Sequence, residues 1–283
     1  MKKILNIIFF LIIGFLTQQG VYAQVLEGPP RDGVYDKTTT SQITPIPYCY
    51  LREADIVWTK RLWRVIDLRE KINQPFYFPD VPQNNWKSFM QIIWDGLKEG
   101  TITAYSSEND QFATPITYKE IQDRIEIPDT IYTPDPDNPD VKVMRVIKNE
   151  FYAYNVKKFR IKEDWYFDRQ RSVMEVRILG ICPIMEKVVK GVSRGDMPMF
   201  WIYFPECRNL FAKNEMFNLK NGAAGRLSYD DVFMKRMFNS YIYKEENVYD
   251  RSIIEYAAGV DALMESERAK NSLLEFEETL WEY

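Results

Sequence analysis

Residues 58–79 read WTKRLWRVIDLREKINQPFYFP. The stretch interleaves Lys60, Arg61, Arg64, Arg69 and Lys71 with Trp58, Trp63, Phe76, Tyr77 and Phe78. Three readings compete for it: a catalytic cluster, a nucleic-acid surface, or an element that faces two partners at once. At about 100° per residue, Trp58, Leu62, Val65, Ile66, Leu68 and Ile72 share one broad stripe. That stripe predicts a helix over about 54–73, with Asp55 as its N-cap and Pro75 ending the pattern. Ile56 and Trp63 fall on the opposite side. Such a helix is apolar on two sides and belongs between two elements, with Lys60, Arg64, Asp67 and Lys71 pairing laterally.

The rest of the chain narrows the three readings. It opens MKKILNIIFFLIIGFLTQQGVYAQ: basic Lys2 and Lys3, an apolar run from Ile4 to Leu16, then Val21-Tyr22-Ala23 before Gln24. The run is too short to span a bilayer, so residues 1–23 read as a secretory signal cleaved near Ala23. No cysteine follows the run to take a lipid anchor. Without Lys2 and Lys3, 35 of the 37 basic residues remain against 41 acids. A mildly acidic exported chain has no global pull toward nucleic acid.

Histidine is absent. Ser-His-Asp and Cys-His catalysis are therefore excluded, along with the usual general base near neutral pH and nearly all mixed His/carboxylate zinc sites. The three cysteines, Cys49, Cys182 and Cys207, are too few for a disulfide scaffold; two can pair in an oxidising compartment, and the sequence does not choose which.

Residues 24–47, rich in Thr, Pro and Gly, read as an extended arm. Trp86, Phe89, Met90, Ile93 and Leu97 mark a second helix, with Asn84 or Asn85 as cap and Gly100 closing it. TITAY (101–105) alternates like a short strand, and Thr117 with Glu120 forms a capping box for a short helix. Three prolines in TIYTPDPDNPDVKV then mark a linker over 128–145. Beyond it, residues 158–183 read as a hairpin turning at Arg169-Gln170-Arg171, and MFWIYF (199–204) as an apolar strand. SYDDVFMKRMFNSYIY, from Ser228, and residues 266–283, carrying Leu273, Leu274, Phe276, Leu280 and Trp281, read as helices. The expected class is α+β: an N-terminal, mainly helical part (48–127) and a C-terminal part (146–283) with a small antiparallel sheet flanked by helices. DIVWTKRLWR (55–64) also aligns without gaps to DDVFMKRMFN (230–239), which leaves an internal duplication open.

Candidate chemistry is weak throughout. DPDNPD (135–140) lacks the EF-hand ligand, Gly and Glu at their required places, which Pro139, Asp140 and Val146 occupy instead, so it reads as solvated linker. NGAAGR (221–226) has neither the glycines nor the Lys-Ser/Thr of a phosphate loop. Asp230/Asp231, Glu245/Glu246 and Glu277/Glu278 are adjacent pairs, pointing about 100° apart on a helix rather than at one another. No catalytic, cofactor-binding or metal-ligating residues are assigned. The aromatic and guanidinium side chains suit protein interfaces instead, and the candidate contact residues are Arg61, Trp63, Arg64, Arg236 and Phe238. Two readings from other classes are an exported carboxylate-dependent glycan hydrolase and a monomeric calcium-binding module.

WRVIDLREKINQPFYFP (63–79), GTITAYSSENDQF (100–112), FRIKEDWYFDRQRSVMEVRILGICP (159–183) and the closing run from Phe238 to Tyr283 resemble the gliding motility protein GldN, called PorN in non-gliding relatives. The likeness is collinear over nearly the whole chain after the signal. It implies a non-enzymatic periplasmic subunit of the type IX secretion system of Bacteroidetes. It further implies self-association in a ring at the periplasmic face of the outer membrane, built with a GldK/PorK-type lipoprotein and touching GldL- and GldM-type motor proteins. Contact with the membrane would then be only through the lipoprotein.

Overall fold

The computed structural model describes residues 42–83, 86–125, 128–134, 142–148, 151–189, 192–217 and 226–280. In chain order the elements are β1 (Ile56–Asp67), α1 (Gln74–Tyr77), α2 (Phe89–Glu99), β2 (Ala104–Tyr105), β3 (Pro115–Ile116) and α3 (Tyr118–Ile125). Then follow β4 (Pro128–Pro134), β5 (Lys142–Lys148), β6 (Val156–Asp168), β7 (Val173–Val189), β8 (Val192–Pro198) and β9 (Trp201–Tyr203). The chain continues through α4 (Phe204–Lys213), α5 (Tyr229–Met234), β10 (Tyr241–Glu245), α6 (Ile253–Tyr256) and α7 (Val260–Thr279). The class is α+β.

The opening stretch is a strand, not a helix. β1 runs antiparallel to β6 from Ile56↔Asp168 to Asp67↔Lys158 and pairs on its other side with β10. Every residue from Trp63 to Ile66 is buried, and so is Leu62. A strand covered on both faces loses its two-residue alternation, which is why its apolar positions also fit a helical stripe. The sheet is consequently larger than the small one expected: eight strands, in the order β10-β1-β6-β7-β9-β2-β3, with β8 on the far end of β7. Residues 55–64 and 230–239 share a pattern but not a structure, since the second begins as α5 and ends in a turn. The two stretches are therefore not copies of one structural unit.

The β6–β7 hairpin forms as expected. α2 forms too, with Gly100 left-handed at its end and Ser88 accepting the capping bond from the Gln91 N–H; the expected caps Asn84 and Asn85 lie outside the described residues. The Thr117/Glu120 capping box closes in both directions. Across the linker expected at 128–145 and just beyond it, β4 pairs with β5 from Pro128↔Lys148 to Pro134↔Lys142; DPDNPD lies outside the described residues. The apolar strand stops at Tyr203, where Pro205 opens α4. The helix expected from Ser228 is only six residues long: Arg236 turns left-handed and the chain leaves to form β10.

One face of the sheet carries the main core. Phe89 on α2, Phe211 on α4 and Phe233 on α5 cluster around Phe76, Phe159 and Tyr229 in tilted and edge-to-face contacts, with ring centroids 5.0–6.4 Å apart. A smaller cluster places α7 against β1 and β10 through Leu62, Ile242, Ala269 and Leu273, and Phe276 stacks on Trp58 at 4.2 Å. On the opposite face Trp63, Cys182 and Trp201 pack with Tyr105, Phe112 and Tyr243. Gly180 in β7 makes room for this cluster, because a Cβ there would stand 2.4 Å from the Phe112 ring.

Candidate interaction surface

The five contact residues expected from sequence separate once placed in the sheet. Arg61 sits directly across from Asp164 in the β1–β6 ladder and donates to both its carboxylate oxygens, at 2.6 and 2.8 Å, with both side chains partly exposed. Trp63 is buried. Its indole N–H donates to the Asp110 carboxylate, and the ammonium groups of Lys244 and Lys162 lie 4.3 and 5.8 Å from its ring. Lys162 is itself buried and donates to the Asp110 carbonyl at 2.7 Å; desolvation pulls its pKa below the ordinary lysine range. The 106–112 loop is thus latched to the sheet from two strands.

Arg64 is buried on the other face and donates to the Ser240 hydroxyl at 2.9 Å, and burial lowers its pKa. Arg236 grips Glu163 with both guanidinium arms and lies between the Trp165 and Phe238 rings, 5.2 Å from each centroid. Phe238 is buried in the main core. Three candidates, Trp63, Arg64 and Phe238, are therefore engaged inside the chain, and only Arg61 and Arg236 keep part of the side chain open to solvent. The basic-aromatic pattern is a set of internal ion pairs and ring contacts.

Other expectations resolve similarly. Asp231 closes the α5 capping box with Ser228, whereas Asp230 is buried against Arg208, which donates at 2.8 and 2.9 Å. Tyr48 from the N-terminal segment lies over that guanidinium at 4.4 Å, and the Cys49 carbonyl accepts from Arg177 on β7 at 2.6 Å. None of the three cysteines pairs: Cys49 is exposed, and Cys182 and Cys207 are buried. Burial pushes the Cys182 thiol up to about 12 and that of Cys207 upward as well. Among the described residues no group of three or more Cys, Asp or Glu side chains could hold a metal ion.

The exposed apolar surface lies elsewhere. Val248, Tyr249, Ile254, Tyr256, Val260, Leu263 and Met264 are between 45% and 97% exposed, all within seventeen consecutive positions spanning α6 and the start of α7. Two of them, Ile254 and Leu263, line a groove of about 660 Å³ together with Tyr241 to Lys244 of β10 and with Val65, Arg160, Ile184 and Asp196 from the neighbouring strands. Scattered apolar residues on a surface need no explanation, but a run of them beside a groove marks a contact site. Sequence reading missed this surface because it placed 241–243 inside a helix and sought anchors among charged aromatics. The signal was present in VYDRSIIEYAAGVDALM (248–264), which is more apolar than a solvent-facing connection should be.

The family described as gliding motility associated protein GldN matches residues 51–282. The chain belongs to the GldN family. The match covers both the ladder and the exposed ledge, and it makes the chain a component of the type IX secretion and gliding machinery. The sequence matches no curated protein. Among the described residues of this GldN-family chain, no helix is long and apolar enough to cross a membrane.

Proposed function

We propose that the chain is a non-catalytic periplasmic scaffold subunit of that machinery. In this reading it joins further copies of itself and a GldK/PorK-type outer-membrane lipoprotein in a ring, and it touches GldL- and GldM-type motor proteins. One observation carries the reading: a broad sheet, buried on both faces and cross-tied by ion pairs, has beside its edge strand a cluster of exposed apolar side chains within 248–264. A rigid sheet with such an edge fixes geometry between neighbours. Arg61 and Arg236, which retain open surface, are secondary contact candidates, and the leader read in residues 1–23, with cleavage near Ala23, supports a periplasmic mature chain.

Crosslinking with mass spectrometry on intact cell envelopes tests this. The expected result is links from 248–264 to a lipoprotein or to a second copy, and recovery of the chain with the envelope rather than the cytoplasm. A cytoplasmic chain with no envelope partner would overturn the reading.

A further inference from the structure

The sheet ends differently at its two sides. At one end β3 is two residues long and contains Pro115, which has no N–H to offer. At the other end β10, YIYKE, has neither proline nor glycine and pairs only with β1 among the described residues. Its residues Tyr241 to Lys244 line the groove in unbroken succession, and Ile254 of α6 and Leu263 of α7 stand over it. A strand of high β propensity with one side unpaired, and with apolar side chains such as Ile254 and Leu263 beside it, is a template for strand addition.

This chain carries a segment that fits. VYDKTTTSQIT (34–44) is free of proline between Pro30 and Pro45 and is rich in Val, Thr and Ile, as strands are. Its described end, residues 42–44, belongs to no strand. Just after it, Tyr48 and Cys49 are tied to Arg208 and Arg177, on the β7 side of the sheet, and β1 and β6 lie between β7 and β10. The anchor of the segment and the open edge therefore stand apart on one molecule. Eleven extended residues reach at most about 40 Å, enough to leave one molecule and enter the next.

We propose that the free edge of β10 receives residues 34–44 of a second copy as an added strand, with apolar side chains of the incoming segment against Ile254 and Leu263. Donor and acceptor surfaces differ, so the contact is head-to-tail, and repeated it closes into a ring when the rotation per copy allows. This rests on the reading of the chain as a multi-copy scaffold and names the surface that joins its copies.

Two variants of the full mature chain test it. Ile254→Asp with Leu263→Asp removes the acceptor. Thr39→Pro with Thr40→Pro removes the donor, because adjacent positions alternate in a ladder and one of the two must face it. Sedimentation of the wild type should show species larger than a dimer; each variant alone should sediment as a single copy with unchanged circular dichroism. An equimolar mixture of the two variants should form dimers and nothing larger, since each dimer has one intact donor–acceptor contact. If the wild type associates and both variants associate equally, the assembly stands and this contact is wrong. A mixture that stays monomeric also overturns it, as does an arm that folds onto its own copy. If the wild type is a single copy both in solution and in solubilised envelopes, the scaffold reading itself fails. As a second readout, Thr39→Cys and Ile254→Cys placed in separate copies lacking Cys49 should form an interchain disulfide; its absence counts against the proposal.

Discussion

Glu163 and Arg236, 73 residues apart, form a two-armed ion pair at 2.9 and 3.2 Å in which the carboxylate side chain has no solvent exposure. The Trp165 indole N–H also donates to this carboxylate, at 3.1 Å. Arg236 adopts a left-handed backbone (φ 51°), a conformation that disfavours side chains, in order to deliver its guanidinium there. The pair ties the turn after α5 to the middle of the sheet.

Removing Arg236 leaves a buried charge without its partner, which costs about 3–5 kcal/mol. Arg236→Ala should lower stability by about 3 kcal/mol in urea unfolding. Arg236→Gly should lose less, because glycine accepts the left-handed backbone. The double variant Glu163→Leu with Arg236→Ala should recover much of the loss. Equal, small effects in all three would show the pair to be structurally idle.

Trp63→Ala should destabilise the isolated protein by about 3–5 kcal/mol, the usual cost of deleting a buried large aromatic. Sequence reading, which treated Trp63 and Arg64 as contact anchors, implies that Trp63→Ala with Arg64→Ala leaves unfolding unchanged. Thermal denaturation separates the two, and the buried indole over Lys244 predicts a clear drop in Tm.

Gly180→Ala should be destabilising by about 1–3 kcal/mol, because its methyl group would overlap the Phe112 ring and strain the latched loop. Phe112→Leu in the same chain should return part of that stability. A neutral Gly180→Ala measured by urea titration would mean that the loop is not held against β7.

Stability should be level between about pH 6 and 8, since histidine is absent and no other side chain ordinarily titrates there. Arg69 holds the Asp67 carboxyl below its ordinary 3.8, and Arg171 does the same for Asp168; Arg171 lowers Glu175 and the Ser252 hydroxyl lowers Glu255 from 4.5. A depressed acid stabilises the fold above its unfolded pKa and ceases to as pH falls through its folded value. The acid limb should therefore begin below about pH 5. Burial raises Tyr48, Tyr166 and Tyr241 above 10.0, so stability should decline as pH rises past 10; Lys162, shifted downward by burial, partly offsets this. Tm measured across pH tests the shape, and a transition centred near 6.5 would contradict it.

What the sequence disclosed depended on how each element meets its neighbours. α2, the Thr117/Glu120 box and the β6–β7 hairpin were legible because caps, turns and alternation are local signals. β1 was not, because burial on both faces from Leu62 to Ile66 erases alternation, and its charges are answered by residues distant in sequence, Asp164 across the ladder and Glu245 on β10. Trp63, Arg64 and Phe238 look like anchors when read along the chain and lie in the interior when read across the sheet, whereas Arg61 and Arg236 keep open surface. The apolar run at 248–264 is visible in the sequence, but its exposure follows only from β10 carrying the chain to a sheet edge.

The most direct measurement is to introduce Leu263→Asp into cells and follow cargo secretion and gliding while recording Tm of the purified chain. Leu263 is 66% exposed, so Tm should move by no more than about 2 °C, while secretion and gliding should fail. Normal secretion with an unchanged Tm would contradict the account.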